Sequence, residues 1–215
     1  SYLVHGQKYD YPGSIVAAVA ESKGADGIVV VKKRFPLGKV DELNDSTLRF
    51  VYTADSPSEF LIDLTANNAN LFNLTAGSGW QVEVSGSGEV LDRAKKHDGD
   101  VFVMWEPDLS RALSEDKELA YLWGSDKFSG YIKDVFVFHR DFILRREADL
   151  IKFFEGYFFA MRVYANDHER WLTEVKGAAG LSREMAESML EKVDYYDLHE
   201  NCRLQFGLQV TADTV

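Results

Sequence analysis

An α/β fold is predicted for this chain of 215 residues, with a mixed, mainly parallel sheet and a C-terminal helical segment. Three observations predict it. Short apolar runs alternate with helix-type segments up to about residue 140, the pattern of strands joined by helical crossovers. One of these runs, Val101-Phe102-Val103-Met104, is continuous and bounded by turn signals, as expected of a strand covered on both faces. Beyond Arg140 strand signals stop. There Leu150, Phe153, Phe154, Tyr157, Phe158, Met161 and Tyr164 recur at helical spacing over residues 148–166, as the core-facing stripe of a long helix does.

Taken in order, Tyr2-Leu3-Val4 reads as a short strand and Tyr11-Pro12-Gly13 as a turn. Ser14 then suits the N-cap of a helix carrying Ile15, Val16 and Val19 and ending near Lys23-Gly24. Gly27 to Val31 reads as a buried strand, Val40 to Leu43 as a single helical turn, and Leu48 to Thr53 as a half-buried strand. After it, Ser56, Pro57 and Glu59 supply an N-cap, a first-position proline and a Ser-x-x-Glu capping box. Asn67 to Gly79 is loop in composition, and Trp80 to Val84 alternates like a strand. Ser87 suits the cap of a helix running to Lys96. The run from Val101 leads into Trp105-Glu106-Pro107, where Pro107 fits the first turn of another helix. Leu119 to Trp123 and Ile132 to Phe138 are further strands. Helices at 168–176 and 182–192 follow, the second capped by Ser182, and the tail after Cys202 is short.

A formal net charge of −11 and the lack of a basic stripe argue against nucleic-acid binding, which needs clustered Lys and Arg. A local helix N-terminus still accommodates an anion, because its backbone N–H groups act at short range. No run of 18 apolar residues occurs, so no membrane span is predicted. The single cysteine, Cys202, excludes an intramolecular disulfide. His199 lies three residues before it, but two such residues without a second pair make a poor zinc site, and no metal is expected. Gly86-Ser87-Gly88 starts like a dinucleotide fingerprint, yet Leu91 stands where the third glycine belongs, and no cofactor is expected. No Gly-x-Ser-x-Gly or Walker sequence is present, and Glu106 and Asp108 stand only two apart at a helix start, so the expectation is a protein without catalysis.

Two places point to ligand chemistry. A helix opened at Ser56 directly after a strand turns unpaired N–H groups toward the crevice at the sheet's carboxyl edge, which suits a carboxylate, phosphate or sulfonate. The plainer reading is that the box only caps its own helix. Trp105 and Glu106 end their strand at the same kind of edge, where ligands of open α/β sheets bind. The plainer reading there is a core aromatic and a solvated cap. As a ligand contact, Glu106 calls for an amine or ring N–H, since an unpaired buried carboxylate is costly.

Four stretches in order, Glu21-Ser22-Lys23-Gly24-Ala25-Asp26 with the strand after it, Thr53 to Leu61, Asp100 to Asp108, and Ile132 to Val137 before a long helix, resemble the substrate-binding proteins of nitrate, sulfonate, taurine and thiamine-precursor ABC importers. The resemblance covers roughly residues 20–200. It implies a type 2 periplasmic-binding fold, a small anionic or zwitterionic solute held in an interlobe cleft, an ABC permease or envelope partner, and a periplasmic or cell-envelope location. It implies ligand contacts at Ser56, Ser58, Glu59, Trp105 and Glu106, with Ser22 and Asp134 near the crossing strands. Residues 1–29 would be the remnant of a first lobe and a crossover, 30–133 the second lobe, and 134–215 the return crossover with helices packing on the first lobe. Only about 20 residues precede the Ser22 stretch, so the chain is expected to be part of a longer protein, and some relatives carry an OmpA-like domain. Two other functions remain open: an envelope interaction or sensor module, and an enzyme resembling those of pyrimidine-precursor biosynthesis.

Overall fold

A computed structural model of the chain describes residues 10–204; the expected strand at Tyr2-Leu3-Val4 and the end of the tail lie outside the described residues. The described chain forms two compact units, one of residues 22–132 with 191–193, the other built from 133–190 with the segments on either side.

The first unit holds a five-stranded sheet of β2 (Asp26–Val31), β3 (Phe50–Thr53), β4 (Gln81–Val84), β5 (Val101–Trp105) and β6 (Leu119–Gly124), in the order β4-β3-β5-β2-β6. Pairing is parallel for β3–β4 and β3–β5 and antiparallel for β2–β5 and β2–β6, so the sheet is mixed. Its three central strands, β3, β5 and β2, are apolar on both faces because helices cover both. Ile28, Val30, Phe50, Tyr52, Val101 and Val103 pack with Leu61 and Ile62 of α1 (Pro57–Asn68) and Leu74 of α2 (Phe72–Ala76). The alternate residues Val29, Val51, Phe102 and Met104 pack with Val90 and Leu91 of α3 (Ser87–Ala94) and Leu109 and Ala112 of α4 (Asp108–Glu115). This period-2 division is what the continuous run at 101–104 predicts. The turn before β5 requires glycine: Gly99 has φ +153°, and a Cβ there would stand 2.7 Å from Val51 Cγ2.

The second unit contains β1 (Gly13–Ser22) except its last residue and β8 (Val193–Tyr195) except its first, both of which belong to the first unit, together with β7 (Lys133–His139), in the order β7-β1-β8. Its helices are α5 (Arg140–Arg145), α6 (Glu147–Asn166), α7 (His168–Ala179) and α8 (Arg183–Glu191); residues 198–204 are also helical. The aromatic stripe of α6 packs on β7: Phe136 meets Phe153, Phe154 and Tyr157 edge-on at centroid separations of 5.1–5.5 Å. A smaller core of Leu172, Leu181, Ala186 and Leu190 joins α7 to α8. Among the described residues no helix is long and apolar enough to cross a membrane.

Four expectations are corrected. Residues 14–22 form a strand instead of a helix: β1 pairs antiparallel with β7 from Gly13–His139 to Glu21–Lys133, and the Asn201 side chain brackets Ala18 by accepting from its N–H (2.8 Å) and donating to its carbonyl (3.1 Å). Long-range pairing outweighs the helical propensity of the alanines here. A strand does occur after Arg140, namely β8. The loop expected over Asn67–Gly79 contains the end of α1 and all of α2. Ser87 is the first residue of α3 instead of its cap; Gly86 occupies the cap, and Glu89 accepts from Ser85 N–H (3.3 Å) and Ser85 Oγ (3.1 Å).

Candidate functional site

Because β3, β4 and β5 run parallel, with Thr53 beside Val84 and Tyr52 beside Val103, their carboxyl ends lie at one edge of the sheet. The N-termini of α1, α3 and α4 follow at that edge. It is completed by the start of antiparallel β2, where Asp26 pairs with Trp105, and by the end of β6, where Gly124 pairs with Gly27.

Ser56 is the N-cap of α1: its Oγ accepts from Ser58 N–H at 3.1 Å and donates to the Thr53 carbonyl at 2.6 Å, and Pro57 opens the helix. The reciprocal half of the capping box is displaced by one residue. Glu59 accepts from the N–H of Asp55 (2.7 Å), a residue held at φ 54°. Ser58 is fully buried, and among the described residues its hydroxyl has no hydrogen-bond partner; Thr53 Oγ1 at the end of β3 and Ser87 Oγ at the start of α3 are buried in the same condition. Three orphaned hydroxyls at one sheet edge depart from the rule that buried polar groups are satisfied.

Trp105 is half-buried. The carboxylate of Glu106, with its side chain 4% exposed, accepts from Ser110 N–H (3.1 Å), Ser110 Oγ (2.8 Å) and Lys192 Nζ (2.5 Å). The Glu106–Pro107 peptide is cis, and Pro107 is the N-cap of α4, one residue before the first-turn position expected. Ser22 is buried in another polar cluster: its Oγ lies 2.7 Å from Ser125 Oγ and 3.1 Å from Asp26 N, while Ser125 Oγ accepts from Gly24 N–H at 2.7 Å. Gly24 itself turns at φ +107°. Asp126 beside this cluster accepts from Tyr121 O–H at 2.6 Å; partial burial acts to raise its pKa, but Lys127 and Tyr121 hold it below the ordinary carboxylate value.

The structure thus brings Ser56, Ser58, Glu59, Trp105, Glu106 and Ser22 to one edge of the first unit. Asp134 belongs to the second unit, on β7 opposite Ala20, where desolvation raises its carboxyl pKa. Sequence reasoning misses Thr53, Ser87, Ser110, Ser125 and Lys192. Ser87 follows the Trp80–Val84 strand as Ser56 follows its own, which is the signal that could have found it; Lys192 is 86 residues from Glu106 and has none.

Strand β3 also carries a titratable group in the core of the first unit, Tyr52. Burial pushes the Tyr52 phenol up to about 12; Gln81 Nε2 donates to its oxygen (3.1 Å), which lowers it, and the charge of Glu83 raises it. A folded pKa above the unfolded value of 10.0 contributes stability that is present below pH 10 and is lost as pH rises toward 12. Melting temperature measured across that range should fall less steeply in Tyr52→Phe than in the wild type. Parallel curves would contradict the burial of a neutral phenol.

No family model matches the chain, and no curated protein matches it in sequence. Solved structures do match in fold. The periplasmic aliphatic sulphonate binding protein SsuA of Escherichia coli is 14% identical, with a TM-score of 0.71 over 99% of this chain and 68% of that one. The alkanesulfonate-binding protein SsuA of Xanthomonas axonopodis pv. citri, bound to MOPS, is 16% identical with a TM-score of 0.74 over 99% of this chain and 71% of that one. The desulfurization enzyme DSZB is 13% identical, with a TM-score of 0.58 over 93% of this chain and 69% of that one. At such identities it is the architecture that is shared, and this chain has the periplasmic-binding-protein fold.

Proposed function

We propose that this chain is a solute-binding domain without catalytic chemistry, which recognises a small anionic or zwitterionic solute by its acid group at the carboxyl edge of the first unit's sheet and serves an ABC-type importer of the cell envelope. The observation that carries this reading is the set of orphaned hydroxyls of Thr53, Ser58 and Ser87 beside two helix N-termini. A hydroxyl buried without a partner costs about 1–3 kcal/mol, and a bound oxyanion would satisfy it. Helix N-termini add partial positive charge at the same place. Ser56 and Ser58 are the proposed polar contacts, Trp105 the apolar wall, and Glu59 and Ser22 the groups that hold the surrounding turns. The sulfonate-binding proteins of the same fold support an oxyanion as the ligand class.

A thermal-shift titration with alkanesulfonates, MOPS, nitrate, bicarbonate and phosphonates tests the reading. A ligand at one hundred times its dissociation constant adds about 2.7 kcal/mol, which for a domain of this size raises the melting temperature by about 5–10 °C. A reproducible shift with one anion class is expected; no shift with any anion overturns the proposal. The likeness to a desulfurization enzyme favours catalysis as a second reading. Release of inorganic sulfur from a bound organosulfur compound would establish that reading instead.

A further inference from the structure

As a ligand contact Glu106 would recognise an ammonium, but its surroundings in the first unit leave no opening for one. Oε1 accepts from both Ser110 Oγ and Lys192 Nζ, and Oε2 accepts from Ser110 N–H. Lys192 is tied down at both ends: its carbonyl accepts from Lys23 N–H at 2.8 Å, and its ammonium also reaches Ser110 Oγ at 3.4 Å. A ligand ammonium would have to expel this cation from a carboxylate that is 4% exposed, leaving one charge of a close pair without its partner. The hydroxyls without partners at the same edge, on Thr53, Ser58 and Ser87, are neutral groups able to donate to an anion.

We infer that Lys192 sets the charge class of the ligand: by neutralising Glu106, it makes the edge a receptor for a simple anion and selects against zwitterions that carry an ammonium near the acid group. This rests on the solute-binding reading above and narrows it from anionic or zwitterionic to anionic.

Ethanesulfonate and taurine, which differ by one amino group, separate the cases in isothermal titration of the chain at neutral pH. The wild type should bind ethanesulfonate tighter by about tenfold or more, the scale of one charge-assisted hydrogen bond. Lys192→Gln, which frees the Glu106 carboxylate, should narrow or invert that ratio, whereas Lys192→Arg should keep it. Taurine bound as tightly as ethanesulfonate by the wild type overturns the inference, as does an unchanged ratio in a folded Lys192→Gln variant. If that variant does not fold, the wild-type ratio decides by itself. If the wild type binds neither compound nor any other anion, the solute-binding reading fails and the inference with it; binding of taurine alone leaves that reading standing and removes only the inference.

Discussion

The combined variant Thr53→Val, Ser58→Ala, Ser87→Ala is expected to be more stable than the wild type and to bind anions less well. Each substitution removes a hydroxyl that is buried without a hydrogen-bond partner and leaves a side chain of nearly the same shape. Relieving one such group is worth about 1–3 kcal/mol, so the three together should raise the melting temperature by several degrees, with some loss of additivity between neighbours. The same change deletes the donors proposed to meet the ligand. Affinity for the best anion should fall by at least about tenfold per donor lost from a charge-assisted contact. Stability and binding moving in opposite directions is the mark of groups retained for a ligand, since most polar-to-apolar changes in a well-satisfied core destabilise. Denaturant unfolding and isothermal titration on the same preparation give both numbers. A variant that is less stable and binds normally would show that the hydroxyls serve the fold alone.

Phe102→Ala should be the most damaging single change in the first unit. Phe102 is fully buried at the centre of β5, packed with Val29, Val51 and Leu91 on the face covered by α3 and α4, and its ring also closes over the turn at Gly99. Truncating a buried phenylalanine costs about 3–5 kcal/mol, through lost transfer energy and the cavity left behind. For a chain of this size the melting temperature should drop by about 6–20 °C. Phe153→Ala, on the half-covered stripe of α6, should cost much less, because the residue is 45% exposed. Equal losses in the two variants would refute the placement of the core between β5 and the helices α3 and α4.

How much of this is legible in the chain depends on how local the determining interactions are. The strand at 101–105 and the helix from Pro57 are readable because an unbroken apolar run and a Ser-Pro-Ser-Glu start are each specified within a few residues. The stripe of α6 is readable for the same reason, its period being a property of one segment. The spacing of Ile15, Val16 and Val19 suits a helix, yet residues 14–22 become a strand because β7, more than a hundred residues later, and Asn201 supply their hydrogen bonds. Glu106 is legible as an acid at a sheet edge, but its partner Lys192 arrives from a distant segment, and it is on that partner that the proposed selection against an amine rests.

By itself, then, the sequence determined that the fold is α/β, that strands run through the apolar segments at 27–31, 48–53 and 101–105, and that a helix opens at Ser56. Only the tertiary structure decided the antiparallel insertion of β2 between β5 and β6, the strand state of residues 14–22, and which polar groups at the sheet edge are satisfied and which are orphaned. The physical reason is that periodicity and capping act over one or two turns of chain, whereas strand pairing and the satisfaction of buried polar groups depend on partners that only the folded chain brings together.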